Sequence, residues 1–187
     1  MIHNAAFGVE SGCGLVAGAA VKHGFRMKHV YHVECFRKGK LLWEDTFENL
    51  VVTAGLNKYL DATLKTGLAA PLWYVALVTG PGAGNTYALA DTVAAHAGWA
   101  EFTTYAEATH PAWTPGVIAA GSVSNSAAVA VFTINGGGGT VGGAYMSDTA
   151  VKPGVAGTLL GVGNFTAGDR IVIAADVLNV TVTCTAT

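Results

Sequence analysis

Apolar and polar residues alternate through much of the chain, and a period of two predicts β-strands with one buried face. In KHVYHVECF (28–36), the apolar positions Tyr31, Val33 and Cys35 share one face, while the polar positions between them lie on the other. A polar turn, RKGK, then leads into the second alternating run, LLWEDTFENLVV (41–52). The two runs together predict a β-hairpin.

One segment, TAGLNKYLDATLKTG (53–67), breaks the alternation. Its large apolar residues recur at the spacing of one helical face: Leu56, Tyr59, Leu60 and Leu64. Thr53 is placed to cap the start of a helix and Gly67 to end it. The sequence therefore predicts a single short helix at about 53–66.

Beyond the helix, short apolar runs are separated by Gly, Pro, Asn and Asp at intervals of roughly 8–12 residues. The predicted strands are 72–79, 101–105, 117–123, 126–134, 140–147, 158–165, 170–175 and 177–185. Strands without intervening helices predict a mainly β fold, an antiparallel β-sandwich or jelly roll. Residues 1–27, rich in Gly and Ala, predict an extended N-terminal arm, and residues 28–187 predict a single β-sandwich domain.

The composition suggests a chain that works in contact with other chains. Hydrophobic residues make up 51% of the sequence and charged residues only 12%, about half the share usual for a soluble domain. Charge normally keeps protein surfaces apart, so a weakly polar surface favours self-association or packing against a partner.

The few cations are unevenly placed, and six of them fall within 19 residues: Lys22, Arg26, Lys28, Arg37, Lys38 and Lys40. The sequence has a pI of about 6.3 and no aromatic motif of a nucleic-acid-binding module, so direct nucleic-acid binding is not expected. The cluster is better interpreted as a solvated strand edge or as a contact with an acidic protein surface.

No sequence pattern specifies a cofactor, a metal or a membrane span. The stretch GPGAGN (80–85) lacks the third glycine of a dinucleotide fingerprint, and Pro81 removes a backbone N–H, so it is interpreted as a turn. Cys13, Cys35 and Cys184 form no CxxC pair and are expected to be reduced, mostly buried thiols of a protein made in the cytosol. No apolar run approaches the roughly 18–20 residues of a membrane span or resembles a signal peptide.

Several residue types capable of chemistry remain without a convincing arrangement. His29 and His32 are three apart on a predicted strand and therefore face opposite ways. Glu101 and Glu107 remain candidates for the pair of catalytic carboxylates of a glycosidase, because the sequence does not fix the distance between them. The large aromatic residues could line a groove for a sugar or receptor, but in an all-β domain they favour the core or an interface: Trp73, Tyr74, Trp99 and Trp113.

Several segments of residues 28–187 resemble a family of small structural proteins of tailed bacteriophages. The segments that carry the resemblance are LLWEDTFENLVVTAGLNKYLD, LWYVALVTG, ADTVAAHAGWAEFTTYAEATHPAWTPG, VSNSAAVAVFTI, VGGAYMSD, GTLLGVGNF and DVLNVTVTCTA. The resemblance implies a β-rich virion protein without catalytic residues, a capsid cement or decoration protein on the outside of the shell.

Further expectations follow from that resemblance. The partners would be the major capsid protein and further copies of the chain, with no enzyme activity, cofactor, metal, small-molecule substrate, nucleic acid or membrane. The location would be the virion surface, after synthesis in the host cytoplasm. The contact residues are expected among the six clustered cations together with Trp73 and Trp113. A tail, head–tail adaptor or fiber-associated protein is the alternative, and a glycan-binding or glycan-cleaving tail protein is a more distant one.

Overall fold

The computed structural model describes residues 26–65, 69, 71–81 and 84–186 of the 187-residue chain. The strands are β1 (Met27–Arg37), β2 (Lys40–Glu48), β3 (Leu50–Val51), β4 (Tyr74–Thr79), β5 (Glu101–Phe102), β6 (Ser122–Ser124), β7 (Ala130–Thr133), β8 (Gly139–Ser147), β9 (Leu159–Asn164), β10 (Arg170–Val172) and β11 (Val177–Ala186), and the helix is α1 (Thr53–Leu64). The predicted mainly β class with one short helix is confirmed. The N-terminal arm, apart from its last two residues, lies outside the described residues.

The strands form two antiparallel sheets that pack face to face, which confirms the predicted β-sandwich. Sheet A has the order β2-β1-β11-β6, and β7 also pairs with β11. Sheet B has the order β3-β9-β8-β4-β5, and β10 also pairs with β8. The chain passes from sheet A to sheet B at Asn49, between β2 and β3.

The longest pairing joins the two ends of the domain. Strand β1 runs antiparallel to β11 from Met27↔Ala186 to Phe36↔Val177. Alternate residues of both strands point into the core: Tyr31, Val33 and Cys35 from β1, and Leu178, Val180, Val182 and Cys184 from β11. The predicted alternation is thereby confirmed, and each large apolar side chain buried here contributes about 1.5–3 kcal/mol.

Sheet B is covered on both faces, so its central strands are apolar throughout. Val75 and Leu77 of β4 belong to the main core between the sheets, whereas Ala76 and Val78 belong to a second cluster on the far side. Trp99, from the segment that precedes β5, covers this second cluster. Burial on both faces explains why the β4 and β8 sequences lack the polar alternation of β1.

Four predicted strands are markedly shorter than the sequence suggests. The predicted strand 117–123 is reduced to β6, because Ala120 and Gly121 adopt positive φ in a turn closed by hydrogen bonds between Ala119 and Ser122. The predicted strand 126–134 begins only at Ala130, after a turn in which the Ala128 N–H donates to Asn125 O. The predicted strand 101–105 ends at Phe102, and the predicted strand 170–175 ends at Val172, before a turn in which the Asp176 N–H donates to Ile173 O.

Helix α1 lies where predicted, but two details differ from the prediction. Thr53 does not cap it: the N-cap is Val52, and no side chain hydrogen-bonds there. Gly67 lies outside the described residues. The leucines of the predicted apolar stripe are exposed, and they are Leu56, Leu60 and Leu64.

The helix packs against β9 through a glycine instead. Gly55 is the buried residue of α1, and a Cβ placed on it would lie 2.3 Å from the carbonyl oxygen of Leu160. Backbone-to-backbone approach therefore brings the helix onto the sheet, so Tyr59, one turn later, can reach into the sandwich.

We expect Gly55→Ala to lower the free energy of unfolding by about 1–3 kcal/mol, because the added methyl group would force α1 away from Leu160. Asn57→Ala is the matched control, since Asn57 is exposed on the same helix and the change improves helix propensity. Urea unfolding of both variants provides the measurement. Equal stability of the two variants would show that the close approach does not limit packing.

Candidate functional site

An apolar cleft opens at the edge of the sandwich where α1, the start of β1 and the end of β11 meet. Its volume is about 200 Å³. Its lining is dominated by large apolar and aromatic side chains: Met27, Tyr59, Trp73, Trp113, Ile118, Met146 and Leu160. No charged side chain is among the described residues that line it. Sites for small molecules usually measure roughly 300–1,000 Å³, so this cleft is better sized for one or two side chains of a partner.

Two tryptophans form one wall of the cleft. The backbone N–H of Trp113 donates to the carbonyl oxygen of Trp73 at 2.8 Å, so the segments before β4 and before β6 run side by side. The indole N–H of Trp113 donates to Val182 O at 3.1 Å on β11. Both indole rings are partly buried against the core. The predicted core or interface role of Trp73 and Trp113 thus takes the form of a fixed aromatic wall.

Exposed apolar residues, called here the rim, are neighbours of the cleft residues along the chain. Leu72 precedes one tryptophan, and Val117 and Ile118 follow the other; all three side chains are exposed. The tight turn at Ala120 and Gly121 directs this segment back toward the end of β11, where the N–H of Ala186 donates to Gly121 O. Ile118 both lines the cleft and is exposed, so at this residue the apolar lining continues to the solvent-facing surface.

A chain of buried polar groups lies beneath the cleft. Asn49 donates from its amide to Nδ1 of His29 at 3.1 Å, so His29 carries its proton on Nε2 and donates to the Tyr59 hydroxyl at 2.8 Å. Tyr59 and Cys184 both line the cleft above these groups. The hydrogen bond between Tyr59 and His29 attaches α1 to β1.

Burial determines the protonation states of this chain. Burial lowers the pKa of His29 to about 4, so the ring is neutral at ordinary pH. Burial also raises the pKa of Cys184 to about 12. Cys184 and Cys35 are buried free thiols, as predicted, whereas Cys13 lies outside the described residues.

The clustered cations do not form one patch in the described part of the chain. Arg26 and Lys28 lie beside the cleft, flanking Met27. Lys38 and Lys40 lie at the opposite end of β1, about 33 Å away at 3.3 Å per residue. Lys22 is outside the described residues.

Two of these cations are engaged within the domain. Arg37 donates two hydrogen bonds to the carboxylate of Asp176, at 2.7 and 2.8 Å. The hydrogen bonds from Arg37 lower the pKa of Asp176 against the opposing effect of burial. Lys28 forms an ion pair with Glu48. Of the predicted contact residues, the structure brings Trp73 and Trp113 together, whereas Arg26 and Lys28 line a separate depression with Glu48 and Asn49.

Both carboxylates considered for glycoside hydrolysis, those of Glu101 and Glu107, accept hydrogen bonds within the domain. Glu101 accepts hydrogen bonds from Tyr145 at 2.9 Å and from the N–H of Gly154 at 2.7 Å, and it pairs with Nε2 of His110 at 2.9 Å. Burial raises the pKa of Glu101, but these bonds outweigh burial and hold it below its ordinary value. Glu107 accepts the backbone N–H of Thr133 with both oxygens.

His110 is equally occupied. Its Nδ1 donates to the carbonyl oxygen of Thr149 at 2.9 Å while Nε2 faces Glu101, so both ring nitrogens are bound inside the protein. The cleft lined by Trp73 and Trp113 contains neither glutamate. The geometry therefore assigns Glu101 and His110 to holding β5, β8 and the 148–154 loop together.

The glycine-rich turn after β4 is also closed by internal bonds. The N–H of Gly80 donates to Thr140 O at 2.9 Å, and the amide of Asn85 donates to Thr79 O at 3.0 Å. These bonds fasten the ends of the turn to β4 and β8. The described ends of this segment therefore behave as the predicted turn.

Sequence reasoning identified the tryptophans but missed the rest of the cleft. The sequence pattern predicts an arm at Met27, a strand at Ile118 and a helical stripe at Tyr59. The available signal was the run of apolar residues Val117 and Ile118 beside a Gly-containing turn, which is unusual for an exposed loop. Only the pairing of β1 with β11 brings these distant residues together.

Comparison with known proteins adds no family assignment: no protein-family model matches the chain, and no significant match occurs among curated proteins. Among the described residues, no helix combines the length and apolar character that crossing a membrane requires.

We expect the free energy of unfolding to fall by roughly 3 kcal/mol as the pH is lowered from 6.5 to 4. Over this range His29 becomes protonated in the unfolded chain but stays neutral in the folded chain. The contribution is fully present above pH 6.5 and levels off below pH 4. Glu101 and Asp176, whose pKa values are lowered, add a further loss only at more acidic pH.

Urea unfolding at several pH values tests this expectation. His29→Gln should be less stable at pH 7 but should lose the slope between pH 6.5 and 4. His32→Gln, which removes a partly exposed histidine of the same strand, should keep the slope. An unchanged slope in His29→Gln would contradict the assignment.

Proposed function

We propose that this chain is a structural protein of a bacteriophage virion, a cement or decoration protein that binds the outside of the assembled capsid through the apolar cleft and its rim. The observation that carries the proposal is the cleft itself: an aromatic wall of Trp73 and Trp113, with exposed Ile118 in its lining and exposed Leu72 and Val117 next to lining residues along the chain. Exposed contiguous apolar surface of this kind typically marks a protein–protein contact.

The chemistry of the cleft specifies the partner's contact. Two indole walls and the aliphatic floor of Met146 and Leu160 suit one or two apolar side chains presented by a folded protein surface. Arg26 beside the cleft suits an acidic group at the edge of that contact. The major capsid protein, repeated across the shell, is the proposed partner, and contacts between copies of the chain are proposed to accompany it.

The segments that resemble phage structural proteins and the low proportion of charge support the same function. DNA packed inside a capsid pushes outward, and a protein clamped across the joints between capsomers adds contacts that oppose this pressure. A rigid β-sandwich with an apolar attachment surface fits this role, because a rigid module loses little conformational freedom on binding.

We expect the chain to occur in purified virions at a ratio to the major capsid protein of about one, or at a simple fraction of one. Quantitative mass spectrometry of particles gives this ratio. A lattice-wide ratio follows if binding sites repeat with the shell. A ratio of a few copies per particle would instead support the tail, adaptor or fiber alternative, and absence from virions would refute both.

We expect Ile118→Asp to weaken binding to purified shells by tenfold or more, because it places a charge at the apolar rim. A loss of about 1.4 kcal/mol of binding free energy is enough for a tenfold loss of affinity. Ile171→Asp is the matched control. The two isoleucines are 74% and 73% exposed, but Ile171 lies on β10, which pairs with the other end of β8. Cosedimentation with capsids measures both variants, and equal effects would exclude the cleft as the attachment surface.

A further inference from the structure

A second cluster of functional side chains lies on the outer face of sheet A, away from the core. It consists of His32 and Glu34 on β1 and Glu44 on β2. One ligand atom from each residue lies within 4.8 Å of the other two. We propose that these three side chains form a binding site for a divalent transition-metal cation, with zinc as the preferred ion.

The register of the β1–β2 hairpin places two carboxylates next to each other. Glu34 and Glu44 are direct partners across β1 and β2, and like charges in this position destabilise a sheet. Within the described part of the chain, no lysine or arginine forms an ion pair with either glutamate. A cation placed between the two carboxylates converts this repulsion into a link between the strands.

His32 is oriented to complete the set of ligands. Its Nδ1 lies 2.9 Å from the hydroxyl oxygen of Thr46, which can accept the Nδ1 proton. The lone pair of Nε2 then remains available on the side of Glu44, whose Oε2 lies 3.9 Å away. A histidine that ligates a metal usually donates its other N–H to such a partner, which fixes the tautomer and the ring.

The ligand chemistry selects the class of ion. Calcium and magnesium prefer sites made of oxygen alone, whereas an imidazole with carboxylates suits zinc and its neighbours. Tetrahedral zinc with bonds of about 2.0–2.1 Å places its ligands roughly 3.4 Å apart, so ligand atoms within 4.8 Å of one another must close by at most about 1.4 Å. Both glutamate side chains reach solvent and can make this small movement. Three protein ligands leave the fourth position for water.

The test uses the full-length protein without an affinity tag, after treatment with EDTA. Titration with zinc chloride in a calorimeter should give one site, and thermal unfolding should occur at a higher temperature with zinc than with EDTA. His32→Gln and Glu44→Gln should each weaken zinc affinity by about tenfold or more, and Thr46→Val by about tenfold. Calcium and magnesium should produce no comparable shift.

Two controls separate this site from other zinc ligands. Glu48→Gln removes an exposed carboxylate from β2, the strand that carries Glu44. Glu48 pairs with Lys28, so this variant should keep the wild-type affinity for zinc. Cobalt bound at the site should show no thiolate charge-transfer band, because no cysteine belongs to the cluster. Absence of zinc binding, wild-type zinc affinity in His32→Gln and Glu44→Gln, or a thiolate band would each overturn the proposal. The variants lie on the surface, and circular dichroism will verify their fold.

Discussion

The antiparallel pairing of β1 with β11 is the contact on which the rest of the domain depends. It joins the first and last described strands over ten residue pairs, from Met27↔Ala186 to Phe36↔Val177. The inner face of this pair supplies much of the main core, and its outer face carries His32 and Glu34. One end of the same pair forms part of the apolar cleft. A contact of such long sequence separation is entropically costly to close, so it requires the large buried area that it organises.

The few charged groups of the chain serve largely to fasten loops and strand ends. Arg37 binds Asp176, which also accepts the N–H of Ile173. Asp45, buried on β2, accepts backbone N–H groups of the turn after β9. Lys152 donates to the carbonyl oxygens of Tyr105 and Glu107 and lies over the Tyr105 ring. Buried charges persist only when they are paired in this way.

This use of charge explains the character of the surface. Charged residues make up only 12% of the chain, and several of them are bound internally, so few charged side chains remain on the surface. Exposed leucine, isoleucine and valine side chains then make up a substantial part of the surface, including the rim of the cleft and the outer face of α1. Such a surface suits a protein that functions while bound to others.

The sequence by itself determined the elements whose pattern is local. The period of two in residues 28–36, the Lys38–Gly39 turn with both residues at positive φ, and the position of α1 all follow from neighbouring residues. It also identified Trp73 and Trp113 as interface candidates, and it placed His29 and His32 on opposite faces.

Only the tertiary structure decided which residues meet. Sequence spacing gave no sign that Glu34 would face Glu44. The helical leucines pointed to a buried face, yet Gly55 provides the contact because its backbone alone fits against Leu160. Register, crossover and close approach depend on partners far along the chain, and local periodicity carries no information about them.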